Sequence, residues 1–156
     1  MADKYELVII GGGIAAVSAA EAFRERRSDG SILMLSEEDR APYRRTKLSK
    51  RLADGFEPDE LAIHPPSWYE EHGVELVTKA KVAGIDPEAH EVEDAQGTRY
   101  GYEKLVLATG GEPVYPGTIP KGEMSSFLVL HTAGDAERIM KAARKAKKIL
   151  VAGMGV

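Results

Sequence analysis

Apolar and polar positions along this chain change period from run to run. Leu7, Val8, Ile9 and Ile10 form an unbroken, mostly β-branched run, the pattern of a strand buried on both faces in a helix-covered parallel sheet. Three glycines follow, Gly11, Gly12 and Gly13. Over residues 14–27 the period becomes helical, with Ile14, Val17, Ala20 and Phe23 on one stripe and charge on the opposite side. Ser28, Asp29 and Gly30 stop that helix. Ile32, Leu33, Met34 and Leu35 form a second apolar run, ended by Ser36, Glu37 and Glu38. Strand, glycine turn, helix, turn and strand make one βαβ unit within about 35 residues.

Residues 39–66 are polar, with six basic side chains from Arg40 to Arg51. The pattern predicts a long loop with one helical turn over 48–52, and a loop of this length is usually functional or disordered. "SWYEEHG" predicts a short helix closing on Gly73. From there to residue 110 the chain reads as β structure, with "DPEAH" and "DAQG" as turns and the alternation of an exposed antiparallel ribbon. Its last strand is the buried run Leu105, Val106, Leu107, Ala108, ended by Thr109, Gly110 and Gly111. Residues 113–122, rich in proline and glycine, predict a connector. Residues 133–145 predict an amphipathic helix with Ile139 and Ala143 on its apolar side, and 148–152 a final buried strand. That strand leads into Gly153-x-Gly155, so the opening motif recurs in part about 140 residues later. The spacing is no solenoid period; it matches the first strands of two separate nucleotide-binding domains.

Composition narrows the function classes. A chain of 156 residues amounts to about one domain. Net charge −4 gives no global attraction to nucleic acid or to anionic membrane. The basic run "KAARKAKK" is more simply a positive helix end with a solvated face. With no cysteine, the chain holds no disulfide, thiolate metal site or redox dithiol. Its four histidines show no metal-ligating spacing. No apolar run approaches the length of a membrane span, and the start has no secretion-signal pattern. The location expected is cytoplasmic.

The candidate chemistry lies in the opening turn. Gly11, Gly13 and Ala16 fit G-x-G-x-x-G/A: the first glycine allows the tight turn, the second the approach of a pyrophosphate, and the small third residue close helix–strand packing. The helix N-terminus would receive the diphosphate. Glu37, 21 residues beyond Ala16 at the end of the second strand, stands where a carboxylate accepts from ribose hydroxyls. The glycines alone are weak evidence; with strand, helix, second strand and acid in place they are strong.

"SEEDRAPYRRTKLSKRL", taken with "GGGIAAVSAA" and "YEKLVLATGG", resembles the FAD-dependent pyridine nucleotide-disulfide oxidoreductase superfamily. The likeness is to its ferredoxin and rubredoxin reductases and apoptosis-inducing-factor-like members, which need no dithiol in this region. The resemblance implies an α/β fold: an FAD/NAD(P)-binding, Rossmann-like parallel sheet with an inserted antiparallel β ribbon. It implies an incomplete FAD-binding domain over 1–118, and a connector with the first strand of an NAD(P)-binding domain over 119–156, the chain being truncated relative to the family. The cofactor contacts it carries over are Gly11, Gly12, Gly13, Ile14, Ala15, Glu37, Glu38, Arg45 and Lys50. Val82 falls on the adenine side, and Ala108, Thr109 and Gly110 lie close to the cofactor. No side chain here is a catalytic acid or base.

Two departures stand out: Thr46 and Lys47 replace prolines of the family pattern, and His131 replaces an arginine. We read His131, like Arg40, Arg44, Lys47 and Arg51, as a solvated surface residue. The intact protein would pass electrons from NAD(P)H through FAD to a redox carrier protein, and the fragment alone would be inactive. The unpaired strand at 148–152 predicts self-association. An NAD-binding Rossmann module and a cofactor-free interaction fragment are the alternatives; the "PYRRTKLSK" loop and the ribbon argue against the first, since a plain NAD unit needs neither.

Overall fold

The computed structural model describes residues 3–115 and 127–153, the side chain of residue 58 excepted. The chain forms two compact units: Met1–Arg44 with Pro58–Gly111, and Arg45–Glu57 with Glu112–Val156.

The first unit is built on one six-stranded sheet. Its strands are β1 (Asp3–Ile10), β2 (Ile32–Leu35), β3 (Val74–Val77), β4 (Val82–Asp86), β5 (Glu91–Asp94) and β6 (Arg99–Leu107), in the order β3-β2-β1-β6-β5-β4. β3, β2, β1 and β6 run parallel, and β4 and β5 add an antiparallel ribbon to the edge of β6. β6 therefore serves both parts. Its first residues pair with β5, Tyr100 opposite Val92, and Tyr100 through Leu107 pair with β1.

The unbroken apolar runs arise because both faces of β1 and β2 are covered. Leu7, Ile9, Ile32 and Met34 pack with Ala16, Val17 and Ala20 of helix α1 (Ile14–Arg26) and with Tyr69. Val8, Ile10, Leu33 and Leu35 pack on the other face with Ala80, Val92 and Tyr102. Fully burying one such side chain is worth about 2 kcal/mol. The helical stripe differs from expectation at its first residue, since Ile14 is 58% exposed. Side chains of a helix lean toward its N-terminus, so the first residue reaches past the sheet it would cover.

The ribbon turns fall where "DPEAH" and "DAQG" predict them. Asp94 caps the second, its carboxylate accepting the N–H groups of Gln96 at 2.9 Å and Thr98 at 2.8 Å. The helical turn expected over 48–52 is α2 (Leu48–Arg51), in the second unit, and the short helix expected before Gly73 is α3 (Pro66–Glu71), in the first.

In the second unit, Arg45–Lys47 makes one turn of 3-10 helix that runs into α2. α2 lies against α4 (Ala133–Ala143). Leu48, Ala133 and Ala136 are buried, and Ile139 and Ala143 are half-buried on the predicted apolar side. The N-terminus of α4 is closed by its own side chains. Thr132 Oγ1 accepts the Asp135 N–H at 3.1 Å, and Asp135 Oδ2 accepts the N–H groups of Thr132 at 2.7 Å and His131 at 3.1 Å.

The strand expected over 148–152 is not found. Ile149, Leu150 and Val151 are 66%, 94% and 73% exposed, with no strand assigned. A strand needs a neighbour for its backbone N–H and C=O groups, and among the described residues this unit contains no other strand. The connector expected over 113–122 lies largely outside the described residues, as does Gly155.

Candidate nucleotide-binding site

The glycine turn sits at the carboxyl ends of three parallel strands, where α/β sheets bind ligands. Ile10 is paired with Leu35 of β2 and Leu107 of β6. Two backbone bonds pin the turn just beyond: Gly11 N–H to the Leu35 carbonyl and Ala108 N–H to the Ile10 carbonyl, both 2.8 Å.

The three glycines differ in what surrounds them. Gly11 has φ +131°, and a Cβ built on it would lie 2.1 Å from the Ala108 oxygen, so only glycine fits. A Cβ on Gly12 would lie 2.3 Å from Ser36 Oγ, and Ser36 is itself buried at the end of β2. A Cβ on Gly13 would meet no atom within 4 Å, and its φ of −104° is open to any residue. The protein's own packing explains the first two glycines and leaves the third unexplained. Bare backbone at Gly13 fits the approach of a group from outside the chain, as in a dinucleotide turn.

The helix behind the turn agrees. Gly13 is the N-cap of α1, with no side chain closing the helix and no acidic residue in the first turn. The first N–H groups of a helix have no partner within it, and the helix dipole makes that end favourable to an anion. Ile14 and Ala15 are exposed there, while Ala16, the small third position, is fully buried against the sheet.

A second group of predicted residues gathers beside the turn. Glu37 and Glu38 follow β2 directly. Residues 79–82 are held alongside: Ala80 N–H donates to the Ser36 carbonyl at 2.8 Å and Lys79 N–H to the Glu38 carbonyl at 3.0 Å. Val82 follows two residues after Ala80, half-buried at the start of β4. Glu37 Oε1 accepts from Lys81 Nζ at 2.9 Å, but both side chains are nearly two-thirds exposed, so water screens the pair and a ligand hydroxyl can replace it at little cost. Glu38 accepts from the Tyr43 hydroxyl at 2.8 Å. Ala108, Thr109 and Gly110 follow β6, with Gly110 at φ +72° in open space.

Arg45 and Lys50 belong to the second unit. Arg45 is half-buried at the start of the 3-10 turn and Lys50 is exposed on α2. The structure overturns the reading of His131 as a solvated surface residue. It is half-buried, and its Nε2 lies 2.8 Å from Arg45 Nη1. Sequence reasoning also passed over Ser36, Tyr43 and Lys81. Ser36 alone carried a signal, as a small residue at the end of a buried strand next to a glycine turn.

Among the described residues no group of acidic or histidine side chains could hold a metal ion, and no helix is long and apolar enough to cross a membrane.

Comparison with known proteins agrees with this geometry. A sequence model of the family described as pyridine nucleotide-disulphide oxidoreductase matches residues 5–156. The chain is 31% identical to human apoptosis-inducing factor 3 across 96% of its own length and 24% of that protein. It is 32% identical to rhodocoxin reductase of Rhodococcus erythropolis, across 96% of its own length and 35% of the relative. The crystal structure of a covalent putidaredoxin reductase–putidaredoxin complex superposes with a TM-score of 0.78 at 29% identity, covering 90% of this chain and 34% of that one. The chain thus spans between about a quarter and about a third of the length of these relatives.

Proposed function

The chain belongs to the pyridine nucleotide-disulphide oxidoreductase family, and from that premise we propose that it is the FAD-binding portion of an NAD(P)H-dependent flavin oxidoreductase. The bound flavin would supply hydride acceptance and single-electron transfer. The chain's residues bind and orient it. The turn and the first N–H groups of α1 take the diphosphate, and Gly13 lets it approach the backbone. Glu37 accepts from ribose hydroxyls on exchanging Lys81. Glu38, Val82 and the backbone of Ala108, Thr109 and Gly110 line the same end of the sheet. Arg45 and Lys50 are assigned to the cofactor by resemblance, Arg45 as a fork of donors for phosphate or flavin oxygens and Lys50 as a point charge. Residues 1–118 are the FAD-binding part in this reading, and 119–156 open an NAD(P)-binding domain.

The observation that carries the proposal is the contrast within the turn: two glycines closed by the protein's own atoms, one open. The relatives support the electron path. One is named as a reductase of rhodocoxin, and another was crystallised joined to putidaredoxin, so in the intact protein the acceptor is proposed to be a small redox carrier protein.

The visible spectrum of the purified chain tests this, with the flavin identified after acid release. Stoichiometric FAD, bound as purified or on addition, is the expected result. A protein that stays colourless with added FAD but binds NAD in titration would replace this reading with a plain NAD module. One that binds neither would leave an interaction fragment.

A further inference from the structure

Ser36 follows β2 directly, within the first unit, and its backbone is fixed on both sides. Its N–H donates to the Val77 carbonyl at 2.9 Å, and its carbonyl accepts the Ala80 N–H at 2.8 Å. The residue is only 3% exposed, yet among the described residues its hydroxyl meets no hydrogen-bond partner. A buried hydroxyl left that way is costly and rare. The buried side-chain atoms that lack a partner and are sealed from water lie elsewhere, Tyr69 Oη among them, so the Ser36 oxygen keeps an opening to the outside.

That oxygen stands against the glycine turn. A Cβ on Gly12 would lie 2.3 Å from Ser36 Oγ, and the three atoms nearest to it all belong to Ser36. Gly12 does not have a positive φ, so the serine side chain, and no backbone strain, keeps this position bare. The hydroxyl therefore takes the place of a side chain at residue 12. The next residue along is Gly13, open to the outside, and behind it the N-terminus of α1 is uncapped.

We propose that Ser36 is a further binding residue of the dinucleotide site, its hydroxyl donating a hydrogen bond to the diphosphate on the glycine turn; this rests on the FAD reading above. The side chain suits that role. A hydroxyl has one proton to give and rotates to give it, whereas a carboxylate beside the turn would repel the diphosphate. A hydrogen bond from O–H to an ionised oxygen is roughly twice as strong as one between neutral groups. With both backbone groups of Ser36 already held, little ordering remains to be done when the ligand binds. Gly13 then admits the anion, and Gly12 makes room for a donor supplied by the neighbouring strand.

The test compares dissociation constants of the full chain and its Ser36→Ala and Ser36→Cys variants. FAD is followed by quenching of flavin fluorescence, and ADP and adenosine by calorimetry. Urea unfolding without ligand gives a readout that needs no cofactor. Both variants are expected to bind FAD and ADP about tenfold more weakly, since a thiol is a poor donor, and adenosine within about twofold of wild type. Unliganded Ser36→Ala should unfold at the same urea concentration as wild type or a higher one, because no bond within the chain is lost.

Wild-type affinity for FAD and ADP in Ser36→Ala overturns the proposal. So does wild-type affinity in Ser36→Cys beside a loss in Ser36→Ala, which would mean that the side chain only fills space. An equal loss for adenosine would overturn the assignment to the diphosphate. A clear drop in unliganded stability, or a Ser36→Ala chain that does not fold, would make the hydroxyl structural and overturn it as well. If the wild-type chain takes up ADP but no FAD, the FAD reading falls and the ADP series decides Ser36 alone. A chain that takes up neither overturns both readings.

Discussion

The two longest helices among the described residues begin in opposite ways. α4 starts on a capping box: the Thr132 hydroxyl oxygen accepts the Asp135 N–H, and the Asp135 carboxylate accepts the Thr132 N–H and sets a negative charge in the first turn. α1 starts on Gly13, with no cap and no acid in its first turn. Both ends carry the same positive dipole. One has been closed and serves stability; the other has been left bare, beside a backbone position that is open although nothing in the fold requires it. A helix that starts on glycine in place of a capping side chain forgoes roughly a few tenths of a kcal/mol of stabilisation. The site is readable because that stabilisation is missing at one end and present at the other.

Four substitutions probe the contrast, in descending order of effect. Gly11→Ala strikes the frame of the open turn: the added carbon meets the Ala108 carbonyl, at a φ that L-residues rarely adopt. We expect a loss of about 3 kcal/mol or more, read by urea unfolding, and a variant as stable as wild type would show that the turn relaxes freely. Gly13→Asp gives α1 the kind of acidic cap that α4 has. Its stability should rise by about 0.5 kcal/mol, while FAD affinity falls about 100-fold because the anion site is filled. If both were unchanged, the open end would have no bearing on binding.

Asp135→Asn works in reverse and loosens the closed end, at a cost of about 1 kcal/mol at neutral pH. The carboxyl of Asp135 is held below its ordinary range in the folded chain, and so is that of Asp94, where the N–H groups of Thr98 and Gln96 outweigh the effect of burial. A depressed folded value means that the stabilisation is fully present above the unfolded value, near pH 4, and is lost as pH falls below it. An acid titration of thermal stability should therefore drop below about pH 4, and Asp135→Asn should drop less; equal slopes would argue against the assignment. Lys81→Ala removes the exposed partner of Glu37 and should change stability by less than about 0.5 kcal/mol, with FAD affinity equal or slightly higher. A marked loss of FAD would make Lys81 part of the cofactor site.

What was legible in the sequence was whatever depends on near neighbours. The runs at Leu7 and Ile32, the period change at Ile14, the ribbon turns at Asp86 and Asp94 and the glycine spacing are all local patterns, and the fold follows them. The misreadings share one cause. Residues 148–152 have the composition of a strand, but a ladder also needs a partner strand, which composition does not report. Ile14 fits the helical stripe by period, yet the stripe ends where the sheet beneath it ends. Gly12 looks equivalent to Gly13 on paper, and only the position of Ser36 separates them. His131 resembles any polar residue before a helix, and the residue that defines it, Arg45, is distant in the chain. Contacts between remote residues leave no periodicity to read.

The double pairing of β6 also has a consequence in time. β1 lies at the centre of the sheet, yet one of its two edges has no strand to pair with until residues 99–107 exist. Ribosomes add about 5–20 residues per second, so the β1 edge would wait roughly 5–20 s during synthesis for a partner some 100 residues downstream. β2 arrives far sooner and can shield one edge, while the other edge of Leu7 to Ile10 stays available to any passing chain. How quickly that gap closes, more than the depth of the finished core, would set how much of this protein survives its own translation.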